Sequence, residues 1–106
     1  MSLKVVNAAE LEELRASGKA VVVDFYADWC GPCHAIAPEV EALAMATGDT
    51  TFVKLDVDAN PELASELGVM GIPTVIHFAP DGSEVARSTG LRRSAALAEA
   101  LGLVAA

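Results

Sequence analysis

The chain has 106 residues, enough for one domain that buries a core without structural disulfides or metals. Its 53% hydrophobic and 21% charged residues exclude a disordered chain. Fifteen acidic residues against seven basic ones leave a formal charge of −8, which a nucleic-acid backbone or an anionic membrane surface would repel. No basic block occurs, Arg92-Arg93 being an isolated pair, and apolar runs such as Ala20–Val23 and Leu67–Ile76 are too short or too interrupted to span a bilayer. Residues 1–7 lack the apolar centre of a secretory leader, so the expectation is a cytosolic protein, or else one whose leader has been removed.

In chain order, Lys4–Val6 reads as a short strand that turns at Asn7 into a helix. Asn7 can cap it, Glu10 stands at the reciprocal capping position, and Val6 and Leu11 fall where a hydrophobic staple would sit. Leu11 and Leu14 supply its buried stripe and Gly18 ends it. Ala20–Ala27 is apolar apart from one acid, the pattern of a strand covered on both faces. A helix should follow from about Pro32 to Thr47, with Ile36, Val40, Leu43, Ala44 and Thr47 on one face. Pro38 inside it removes a backbone donor and should kink it. Thr51–Val57 reads as a second buried strand. Asn60-Pro61 should cap and start a helix carrying Leu63 and Leu67 and closed by Gly68. Thr74–Ala79 and Glu84–Ser88 read as strands joined by the turn Pro80-Asp81-Gly82-Ser83. Ser94 should cap a last helix with Leu97 and Leu101 on one face. The order β-α-β-α-β-α-β-β-α mixes crossovers with one hairpin, so the fold class is α/β, a mixed sheet with helices on both faces.

The chain's two cysteines lie in Trp29-Cys30-Gly31-Pro32-Cys33. With no other thiol to pair with, they can close one small redox ring, clip a metal, or attach a group covalently. Cys30 to His34 also spells the haem c attachment pattern, which the rest of the chain does not support. A zinc site from Cys30, Cys33 and His34 leaves only His77 as a fourth ligand. A purely structural disulfide would close too small a ring to constrain much of the chain. On the motif alone, redox exchange stands beside these readings. Cys30 lies at a helix N-terminus, where unpaired N–H groups and the dipole favour the thiolate, the attacking species. Asp24 interrupts a buried strand, where an ionised carboxylate is costly. It is either a structural partner of Lys54 or an acid of raised pKa.

The segments from Val23 to Cys33, Lys54-Leu55-Asp56-Val57-Asp58 and Gly71-Ile72-Pro73-Thr74 occur in an order and spacing that resemble the thioredoxin family. Pro38, Asp81-Gly82 and Gly90 fit as well, so the resemblance covers essentially the whole chain. It implies one domain over residues 1–106, with a central five-stranded sheet of order 1-3-2-4-5 flanked by four helices. It implies a thiol–disulfide oxidoreductase that reduces protein disulfides. Cys30 would be the exposed nucleophile and Cys33, one turn inward, the resolving thiol. Asp24 would take the Cys33 proton, and Lys54 on the neighbouring strand would modulate that acid. Gly31 lets the chain turn and Pro32 suits the first helical turn.

Trp29, Gly31, Pro32, Gly71, Ile72, Pro73, Gly90 and Leu91 would form the substrate surface. Family members hold the Ile72-Pro73 bond cis, and the Ile72 backbone would pair with an extended substrate segment. The implied partners are protein disulfide substrates and an NADPH-dependent thioredoxin reductase, with no cofactor or metal held by the chain itself. The protein should be a monomer with no nucleic-acid or membrane partner. Departures from the family's common patterns bear on partner choice: His34 and Met70 replace basic residues, Leu91 a smaller apolar one, and Tyr26 a tryptophan. His34 falls four residues after Cys30, where a protonated imidazole would favour its thiolate. His77 is expected to be packed rather than a ligand. The alternative from another class is a non-catalytic binding module that uses the same surface.

Overall fold

The first helix starts on the cap that its sequence spells. Asn7 Oδ1 accepts the Glu10 N–H at 2.8 Å, and Glu10 Oε1 accepts the Asn7 N–H at 3.0 Å. Strand β1 (Lys4–Val5) thus passes into helix α1 (Ala8–Arg15), and the staple residues Val6 and Leu11 are both buried. The computed structural model describes residues 3–103; residues 1 and 2 and residues 104–106 lie outside the described part.

Strand β2 (Ala20–Tyr26) buries every residue from Val21 to Phe25, because it is the middle strand. The sheet order is β1-β3-β2-β4-β5. Strand β3 (Thr50–Asp56) runs parallel to β1 and β2, while β4 (Thr74–Phe78) is antiparallel to β2 and β5 (Glu84–Thr89) is antiparallel to β4. Helices α2 (Gly31–Ala46), α3 (Pro61–Glu66) and α4 (Ser94–Ala100) complete the four expected. Side chains alternate across the sheet. On one face Val21, Val23, Phe25, Val53, Leu55, Ile76 and Phe78 form a core with Leu11 of α1 and Leu63 of α3. On the other, Val22 and Val75 pack with Ile36, Val40 and Leu43 of α2 and with Leu97 and Leu101 around α4.

Three local expectations, for β3, Asn60 and Ser94, are corrected, while α2 runs within one residue of its expected bounds. Strand β3 is not buried throughout: only Val53 and Leu55 are, since its outer neighbour β1 covers it only at Val53 and Lys54. Helix α2 begins at Gly31, with Cys30 as its N-cap, and continues through Pro38 to Ala46. Asn60 occupies the N-cap position of α3 without capping it. Its side chain instead accepts the Ala8 N–H and donates to the Asp56 carbonyl, each at 3.0 Å, tying α1 to the end of β3. Ser94 is the first residue of α4 and not its cap, which is Arg93. The Ser94 N–H is received by Glu39 Oε1 of α2 at 2.8 Å, so a carboxylate from a neighbouring helix does the capping.

The hairpin turn closes as read, with Gly82 N–H donating to the Ala79 carbonyl and Ala79 N–H to the Ser83 carbonyl, both at 2.8 Å. The C-terminal ends of β3, β2 and β5 and the N-terminal end of β4 meet at one end of the sheet. The segments that carry the candidate site leave from that end.

Candidate active site

Cys30 and Cys33 form a disulfide with Cα atoms 5.2 Å apart. A crossover helix returns antiparallel to the strand it follows, so the first turn of α2 covers the end of β2. Cys30 Sγ stands where a capping oxygen would stand and accepts the Cys33 N–H at 3.2 Å. An acceptor at that position meets the unpaired N–H groups and the positive end of the helix dipole. The pair packs against Ala27, with Tyr26, Val57 and Ile72 alongside. One expectation fails here: Cys30 is no more exposed than Cys33, both being 4% accessible in the disulfide form. Position at the helix cap, not exposure, distinguishes the two sulfurs.

Asp24 lies on the α2 face of the sheet, because it shares the face of Val22 and alternates with Val23 and Phe25. It is 3% exposed, and burial pushes its carboxyl up from 3.8 to about 6, against the opposing pull of the Lys54 ammonium. Lys54 sits directly across in register on β3, and its Nζ lies 5.1 Å from the centroid of the Tyr26 ring. Asp24, Val75 and Ser88 continue the same cross-strand row. Asp24 Oδ1 and Ser88 Oγ are buried without a hydrogen-bond partner among the described residues. A buried carboxylate in that setting is poorly compensated, which is the physical reason for its raised pKa.

The rim is apolar and open. Trp29 is 72% exposed and Met70 98%, and Leu91 also projects into solvent. Trp29 is therefore a surface group, steadied by its indole N–H donating to Asp58 Oδ2 at 2.7 Å. A groove of about 200 Å³ is lined by Trp29, Val57, Val69, Met70, Gly71 and Ile72. The Ile72-Pro73 bond is cis, as expected. Gly90, at φ +97° where a side chain would be strained, donates its N–H to the Pro73 carbonyl at 2.8 Å. That bond joins the Gly71–Pro73 loop to the Gly90-Leu91 loop. Thr74 reinforces it, its hydroxyl donating to the Gly71 carbonyl and lying 3.1 Å from Thr89 Oγ1. Gly31 and Pro32 are exposed beside the disulfide. The expected catalytic and substrate-surface residues thus lie in the segments at one end of the sheet, with Asp24 and Lys54 on the strands β2 and β3 that lead to it.

The two histidines are engaged elsewhere. His34 Nε2 lies 2.7 Å from the Asp28 carbonyl rather than on Cys30. His77 is buried, with Nδ1 2.7 Å from the Leu101 carbonyl. Each imidazole thus has one nitrogen engaged by a backbone carbonyl. Among the described residues no group of three or more His, Cys, Asp or Glu side chains gathers as a metal site.

The family model for thioredoxin matches residues 2–102. The chain belongs to the thioredoxin family. It is 51% identical over 74 residues to a thioredoxin of Mycoplasmoides gallisepticum, covering 70% of this chain and 74% of that one. It is 43% identical over 98 residues to a bifunctional thioredoxin reductase/thioredoxin of Mycobacterium leprae, covering 92% of this chain and 21% of that one. The X-ray structure of Fasciola hepatica thioredoxin superposes with a TM-score of 0.82 at 43% identity, over 94% of this chain and 97% of that chain. Family membership together with the Cys30–Cys33 pair makes this protein a dithiol–disulfide oxidoreductase.

Residues that the sequence reading passed over also shape the site. Asp58 holds Trp29, and the backbone of Asp28 receives His34. Val57 and Val69 line the groove. Asp58 lies in a segment that carries the family resemblance, but a partner 29 positions away leaves no periodic trace in a sequence.

Proposed function

We propose that the protein reduces protein disulfides through one domain, with Cys30 as nucleophile, Cys33 as resolving thiol and Asp24 as proton acceptor. The observation that carries this is the thiol pair set on a helix N-cap above a buried carboxyl. In the reduced protein the Cys30 thiolate attacks one sulfur of a substrate disulfide. That bond breaks, the Cys30–substrate bond forms, and the first substrate sulfur leaves as a thiolate and takes a proton from water. Cys33 then gives its thiol proton to Asp24 and attacks Cys30 Sγ. The second substrate sulfur leaves, and the Cys30–Cys33 disulfide remains. The substrate gains two electrons and the pair loses two. An acid titrating at about 6 can accept a proton near neutral pH and return it to solvent. Lys54 draws that pKa down from where burial alone would hold it.

The exposed rim of Trp29, Met70 and Leu91 suits an apolar client surface. The loop of Gly71, Ile72 and Pro73 offers backbone groups to an extended segment. The two-electron recharge falls to an NADPH-dependent thioredoxin reductase. The Mycobacterium leprae relative, in which reductase and thioredoxin share one chain, supports that partner. Action as a monomer in the cytosol is in keeping with the acidic surface, and no described helix is long and apolar enough to cross a membrane.

The test is NADPH consumption with a thioredoxin reductase and a disulfide protein such as insulin. Wild type should sustain turnover and Cys30→Ser should abolish it. A wild type that binds clients without consuming NADPH would make this a binding module.

A further inference from the structure

Arginine is scarce in this acidic chain, and two of its four arginines are held by partners. Arg15 binds Glu12 and the Gly82 carbonyl, and Arg87 binds Glu84 and the Leu67 carbonyl. Arg92 and Arg93 are exposed, and neither guanidinium has an ion pair or hydrogen bond among the described residues. The α4 N-terminus beside them is capped by Glu39 of α2. They follow Leu91 directly, in the segment that leaves β5 at the site end of the sheet.

The order of strands gives that position a direction. Across the site end of the sheet, the segments that leave β3 and β2, enter β4 and leave β5 lie in that sequence. They carry Asp58, then Trp29 and the cysteines, then Ile72 and Pro73, then Leu91 with the two arginines. Asp28 and Asp58 are exposed at the Trp29 end. Two strand spacings of about 4.8 Å from the β2 segment that carries Asp28, and three from the β3 segment that carries Asp58, put the acidic end roughly 10 to 14 Å from the basic end. That is more than a Debye length at physiological salt, about 8 Å, so each end acts on its own stretch of a bound segment.

We infer that the groove is electrically polarised and prefers client disulfide segments that carry acidic residues on the flank crossing Arg92 and Arg93. The inference rests on the disulfide-reductase reading and adds its client class. The arginines act on encounter and orientation rather than on bond exchange. They give an acidic protein a local means of receiving an acidic client that its net charge would otherwise repel.

Three disulfide-bridged peptides test it: one with neutral flanks, and one each with two glutamates on the N-terminal or the C-terminal flank of the attacked cysteine. Rates are read as kcat/KM at low and high salt, as ratios to the neutral peptide for each protein. Wild type should prefer one of the acidic peptides by about threefold to tenfold at low salt, and the advantage should shrink as salt rises. Arg92→Glu/Arg93→Glu should invert that ratio, and Arg92→Gln/Arg93→Gln should bring it close to one. An acidic peptide never favoured over the neutral one, or a preference that survives charge reversal, overturns the polarised groove while leaving the reductase reading intact. Failure of wild type to reduce even the neutral peptide removes both.

Discussion

Asp24 shows how one residue links stability to chemistry. Its folded pKa of about 6 lies above the ordinary carboxyl value of 3.8, so folding penalises the ionised form. Below the lower value both states are protonated and the penalty is absent. It grows as pH rises between the two values and is complete above the folded one. The full penalty corresponds to roughly 3 kcal/mol. Asp24→Asn should therefore raise the urea midpoint at pH 7, equivalent to about 1–3 kcal/mol, with the gain vanishing toward pH 4. The same variant should resolve mixed disulfides more slowly. Destabilisation at pH 7 with unimpaired reduction would make Asp24 a structural ion-pair partner. The cysteines divide by cap position, so Cys33→Ser should accumulate Cys30-linked client adducts on non-reducing gels. Adducts that form only in Cys30→Ser would reverse the assignment. At this scale the sequence was informative where a residue broke a pattern, as Asp24 breaks an apolar run. It was silent where a side chain chose a distant partner, as Trp29 chose Asp58 and His34 the Asp28 carbonyl.

Elements were legible where their signals are local. The Asn7–Glu10 cap, the Val6–Leu11 staple and the turn at Gly82 all operate within a few residues, and all three stand as read. Helix ends that depend on tertiary neighbours were not legible: Asn60 is drawn to Ala8, and the α4 terminus is served by Glu39 from another helix. The hairpin turn also does more than reverse the chain. Arg15 at the end of α1 donates to the Gly82 carbonyl at 2.9 Å through Nη2 and stacks its guanidinium 4.3 Å from the Phe78 ring centroid. Gly82 holds φ +88°, and a Cβ there would lie 3.0 Å from the Arg15 carbonyl oxygen. Gly82→Ala thus meets both a left-handed backbone and a backbone contact that cannot swing away. It should destabilise by about 2 kcal/mol, read as a lower urea midpoint at unchanged slope. A midpoint equal to that of wild type would mean that the turn and α1 part easily.

For the whole molecule, the apolar run of β2 foretold a strand covered on both faces, and the single hairpin foretold a mixed sheet. The strand order came from resemblance, because periodicity does not say which strands are neighbours. Net charge was legible outright and has a consequence that no single residue carries. Fifteen acidic residues face seven basic ones. The described ion pairs, Lys4–Glu10, Arg15–Glu12 and Arg87–Glu84, are all local and partly or largely exposed. Such pairs contribute at most about 1 kcal/mol each and weaken in salt. The surplus of negative charge acts the other way, since folding brings like charges together and salt screens their repulsion. With a charge of −8, repulsion should win at neutral pH. Raising sodium chloride from about 10 mM to about 200 mM should therefore increase the urea midpoint at pH 7. Near the pI of about 4.5 the net repulsion is gone and only the weakened pairs remain, so the same salt should have no effect or lower the midpoint. Equal stabilisation by salt at both pH values would point to ion-specific hydration rather than screening, and would refute a stability limited by the protein's own charge.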